Sequence, residues 1–65
     1  MVTAKDVGRR VEETAGRIGI LRDVINDFED PADPPWNRRK RPTAFIQPEA
    51  GGIERLISPS EVERA

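Results

Sequence analysis

The chain has 65 residues, 11 of them basic and 12 acidic, and contains no cysteine or histidine. That is room for one domain that buries about 60% of the surface its unfolded form exposes, with neither a disulfide framework nor a Cys-based zinc site to hold it. A net charge of -1 excludes a whole-domain electrostatic pull on nucleic acid or an anionic membrane.

The opening, MVTAKDVGRRVEE, has no apolar segment of the kind a signal peptide or membrane span needs, so the expectation is a cytoplasmic protein that does not touch a membrane. Residues 7 to 28 fit two periods. Val7, Val11, Ala15, Ile18, Leu21, Ile25 and Phe28 recur at spacings of three and four, which describes one stripe of an amphipathic helix and, as an alternative fold, a helical dimer. Against the helix stand Gly8, Gly16 and Gly19, each costing roughly 0.8 to 1 kcal/mol in a helix interior. The extended reading is preferred because it uses those glycines. Arg9 to Glu13 alternates, Thr14-Ala15-Gly16 reverses the chain, and a second strand follows with Ile18 and Ile20 on one face and Leu21, Asp23 and Ile25 on the other. The face switch at Leu21-Arg22 is what a bulge or a bent barrel strand produces.

Asp27 to Pro42 reads as a long loop holding Pro31, Pro34, Pro35 and Pro42, with Asp27, Glu29, Asp30 and Asp33 first and Arg38, Arg39, Lys40 and Arg41 after. A loop of this length in a compact domain is functional or mobile. Phe45-Ile46 starts a second hairpin that turns at Gly51-Gly52 and returns along Ile53 to Ile57. Ser58-Pro59-Ser60-Glu61 then has the form of a capping box and predicts one short C-terminal helical turn with Val62 directed to the core. The expected architecture is all-β: a small barrel of four or five strands, core about 7 to 62, with a long proline-rich loop at about 27 to 42.

The run VGRRVEETAGRIGILRDVI resembles the opening strand pair of SH3-like small barrels, and Gly8, Val11, Gly16, Ile18, Gly19, Asp23 and Val24 are similar to the opening of the PRC-barrel. A broader resemblance, over roughly residues 7 to 62, is to a group of small actinobacterial proteins of unknown function. It is carried by Thr14, Ala15, Arg17, Gly19, Asp23, Asp30-Pro31, Ala44-Phe45, Pro48, Gly51-Gly52 and Glu54; the chain departs from the pattern at Arg55, where tryptophan is preferred. The resemblance implies the barrel and no catalytic residues, and fold alone licenses none.

With no His or Cys and only scattered hydroxyls, no nucleophile can be paired with a base, so the expectation is a protein that is not an enzyme and needs no cofactor. The spacing of Asp27, Glu29, Asp30 and Asp33 is not that of an EF-hand loop and reads as a solvated acidic stretch. The candidate contact is PPWNRRKRP: Trp36 as anchor in a protein partner, with Arg38, Arg39 and Arg41 as orienting charges on a segment that prolines pre-organise. Two other readings use the same residues. Trp36 could fold over the open end of the barrel as a lid, or the basic stretch could bind nucleic acid, weakly and with a steep salt dependence. A homo-oligomer is compatible with either fold.

Overall fold

The computed structural model describes residues 1–65 and is mostly β. Five strands, β1 (Arg10–Glu13), β2 (Ile18–Phe28), β3 (Arg41–Pro48), β4 (Arg55–Ile57) and β5 (Val62–Arg64), form one antiparallel sheet in the spatial order β4-β3-β2-β1-β5. The remaining regular structure is three single 3-10 turns, at Ala4–Asp6, Pro35–Asn37 and Pro59–Glu61. No helix is long and apolar enough to cross a membrane.

The helical alternative for residues 7 to 28 is overturned, and two glycines explain why. Gly16 sits at φ 92° in the β1–β2 turn, a conformation only glycine enters cheaply. Gly19 lies so close to β3 that an added Cβ would stand 2.5 Å from the Gln47 carbonyl oxygen and 2.6 Å from Ile46 Cγ2. In the sheet, a residue with no side chain lets β2 and β3 approach and bend.

The core lies on one face. Val11, Leu21, Ala44, Ile46 and Val62 point inward and are fully buried, and Val2 joins them from the N-terminal turn. Leu21 stands opposite Ile46, and after an extra residue at Arg22 the register resumes with Asp23 opposite Phe45. One extra residue reverses the side chains that follow it, here as far as a second register shift between Ile25 and Phe28. Asp23 and Ile25 therefore share the outer face with Phe45 and Thr43, which corrects the expectation that they face the same way as Leu21; Val24, opposite Ala44, packs against the core instead.

The sheet also curls. In a flat sheet β1 and β4 would be three steps of about 4.8 Å apart, yet Arg55 Nε of β4 donates to Glu13 Oε2 of β1 at 3.0 Å. Glu13 is buried, and the guanidinium supplies the charge and hydrogen bonds that a carboxylate removed from water requires.

The N-terminal turn is an element that strand reasoning did not reach. Thr3 and Asp6 make a reciprocal capping box, with the Thr3 amide donating to Asp6 Oδ2 at 2.9 Å and Thr3 Oγ1 accepting from the Lys5 amide at 3.3 Å. Asp6 also pairs with Arg64 of β5 at 3.0 Å, and the Val2 amide donates to the Pro59 carbonyl. The box expected at Ser58 does not form. Its hydroxyl meets that of Ser60 at 2.9 Å, while Pro59 is buried and the 3-10 turn delivers Val62 into β5, fully buried as expected.

Candidate functional site

The connection between β2 and β3 spans positions 29 to 40, shorter than the expected 27 to 42 because Phe28 and Arg41 pair at its base. It is an arm held by its own contacts. The Asp30 carboxylate accepts from the Ala32 amide at 2.9 Å, its carbonyl from the Asp33 amide at 3.1 Å, and the Pro34 carbonyl from the Asn37 amide at 2.8 Å. Pro31, Pro34 and Pro35 have no amide to leave unsatisfied and fix their own φ. The chain therefore passes through two tight turns with few conformations to lose.

Two of the four candidate contact residues build this arm. Arg38 donates from Nε to the Asp33 carbonyl and from Nη2 to the Pro31 carbonyl, both at 3.1 Å, and Arg41 Nη2 binds Asp33 Oδ2 at 2.9 Å. The other two are free. Arg39 forms no ion pair, nor does its neighbour Lys40. Trp36 is 87% exposed in the middle of the arm, so it is not a lid over the sheet. An indole held in water on a constrained loop leaves a large apolar surface uncovered.

The arm rises beside an apolar patch on the outer face. Phe28 meets Phe45 edge-on, with ring centroids 5.0 Å apart at 88°, and Leu56 lies opposite Phe45 on β4, about half exposed. Next to them is a groove of about 410 Å³ lined by Phe28 and Leu56, by Ile57, which also packs against the core, and by Asp30, Asp33 and Arg41 at the arm end. A second cleft, of about 600 Å³, lies between the N-terminal turn and the β2–β3 pair; Ala4, Val24, Pro42 and Pro59 line it, with Lys5 and the N-terminal residue Met1 as its cationic groups. The outer groove was missed at the level of sequence, although a signal existed. The doublets Phe45-Ile46 and Leu56-Ile57 must each place one apolar residue on either face of a strand, so a patch outside the core follows.

No three acidic side chains converge as a metal site would require, Asp27, Glu29, Asp30 and Asp33 included. Comparison with protein-family models, with curated proteins and with solved structures finds no match to this chain.

Proposed function

We propose that the chain is a non-catalytic accessory protein that docks a protein partner through the arm, with Trp36 as the anchor and Arg39 and Lys40 as the charges that orient it. Arg38 and Arg41 act one step back by holding the arm in shape. The observation that carries this reading is the exposure of Trp36 on a loop that proline, an Asx turn and an arginine clamp already constrain. Tryptophan and arginine lead among residues that dominate binding energy, and a pre-formed loop loses little entropy on docking. We further propose kinship with the SH3-like small barrels, including the PRC-barrel and the small actinobacterial group. The support is a curled antiparallel sheet of five strands in which the first and last pair.

Affinity capture from the source cells with the wild-type chain and with Trp36→Ala, followed by quantitative mass spectrometry, tests the docking reading. Proteins held by the wild type should be lost from the variant while its circular dichroism stays unchanged. Equal retention by a folded Trp36→Ala chain sinks the reading.

Nucleic-acid binding draws less support. With Arg38 and Arg41 engaged, two free cations remain on the arm, and neutralising two phosphates corresponds to a log–log salt slope of only about -1.8 on duplex DNA. A mobility shift that survives moderate salt would favour it over docking.

A further inference from the structure

We propose that this chain pairs with a second copy of itself, Trp36 of each copy seating in the outer groove of the other. The inference rests on the docking reading and names the partner. Two features select the outer groove. Its wall of Phe28 and Leu56 offers apolar contact to an indole, and its arm end carries the carboxylates of Asp30 and Asp33 against the single guanidinium of Arg41, which pairs with Asp33; the acidic excess that remains is opposite in sign to the Arg39 and Lys40 that accompany Trp36. Of the other clefts, the one beside the N-terminal turn carries Lys5 and the terminal ammonium of Met1, and a third, about 420 Å³ between Ile18, Pro48 and Ile53, carries Arg17 and Arg55 against Glu13, so both repel a basic arm.

The arm is self-complementary in its charges. Its incoming leg begins with Glu29 and Asp30 and its outgoing leg ends with Arg39 and Lys40, yet no ion pair joins the two legs at these positions. A two-fold axis between antiparallel arms sets each basic leg against the partner's acidic leg, and satisfies both contacts at once, as an isologous interface requires. The shape agrees. The chain exposes 4631 Å², whereas a compact monomer of its mass exposes about 4200 Å². Two tryptophans, the grooves and the adjoining legs together bury on the order of 1000 Å², the size of a weak, transient interface, so the dimer is expected to dissociate on dilution.

The test is sedimentation equilibrium from about 1 to 500 μM with Trp36 emission read in parallel. The mass should climb from 7.3 kDa toward twice that value while the emission moves to shorter wavelength. Trp36→Ala and Leu56→Asp should each remain monomeric with an unchanged circular dichroism spectrum. Trp36 is the only tryptophan, so a mixture of the two variants reports one contact alone. The indole of Leu56→Asp should shift on adding Trp36→Ala, which brings an intact groove and no indole, and should not shift on adding more Leu56→Asp. A chain that is monomeric throughout, a dimer unchanged in both variants, or an unshifted mixture overturns the proposal. Monomeric behaviour together with loss of captured proteins in Trp36→Ala removes the dimer and leaves docking to another protein standing, whereas retention of those proteins removes docking itself.

Discussion

Where β1, β5 and the N-terminal turn meet, Val2, Val11 and Val62 are enclosed and the buried carboxylates of Asp6 and Glu13 are matched by Arg64 and Arg55. On the arm, the largest side chain in the protein stands in water and two arginines are engaged in holding a loop. The seam has exchanged solvation for contacts. The arm has kept its apolar surface and instead lost conformational freedom in advance. In a domain with six buried apolar residues, stability rests on the first region and recognition on the second, and substitutions should separate the two cleanly.

The sharpest separation comes from truncation. Leu21→Ala removes a fully buried side chain and is expected to cost about 2 to 5 kcal/mol, enough to unfold a domain of this size; Trp36→Ala should stay within about 0.5 kcal/mol of wild type. Urea titrations followed by circular dichroism compare them directly, and a large loss in Trp36→Ala would erase the distinction between seam and arm.

Next in size is an asymmetry within one ion pair. Arg55→Ala leaves the Glu13 carboxylate stranded in the interior, while Glu13→Gln leaves an Arg55 that can turn to water. The first should cost about 3 kcal/mol and the second about 1 kcal/mol. Equal losses in parallel thermal melts would mean that the carboxylate reaches solvent. Gly19→Ala should follow at about 1 to 3 kcal/mol, since the new Cβ must push β3 away, with the largest amide shifts in a proton–nitrogen spectrum at Ile46 and Gln47.

Smallest is the pair that neither region depends on. Arg10 and Glu49 meet at 3.0 Å with both side chains more than half exposed, so Arg10→Ala should change stability by no more than about 0.5 kcal/mol. Arg38→Ala should likewise leave the melt in place, but it should lower the heteronuclear NOE across positions 31 to 39; an unchanged NOE would mean that the prolines alone order the arm.

The strands were legible where chemistry forces them. Gly16 has one economical use, a positive φ in a turn, and the face switch at Leu21-Arg22, which a bulge or a bent strand would explain, falls where the register shifts. Which side the later residues take was not legible, because one inserted residue reverses the alternation and nothing local marks where pairing resumes. The N-terminal turn escaped for another reason. Thr3 and Asp6 carry the spacing of a capping box as plainly as Ser58 and Glu61 do, but only tertiary contact decides which box closes, and here Val2 and Arg64 secure the first. At the arm, Trp36 and the basic run stood out by composition. That Arg38 and Arg41 would serve the loop and Arg39 would not depends on the direction each side chain takes from a proline-bent backbone, which residue type does not encode.

The pairing of β1 with β5 has a consequence for how the molecule comes into being. The Thr14 hydroxyl bonds the Glu61 carbonyl across 47 positions, and Arg55 reaches Glu13 across 42. Contacts this distant form late. On a ribosome, β2 and β3 can join as a hairpin while the arm is still their only product, but β1 has an unpaired edge until Val62 to Arg64 emerge. Translation therefore presents the arm before the seam exists, and a nascent chain that stalls short of β5 carries the complete arm on a sheet whose β1 edge is still open.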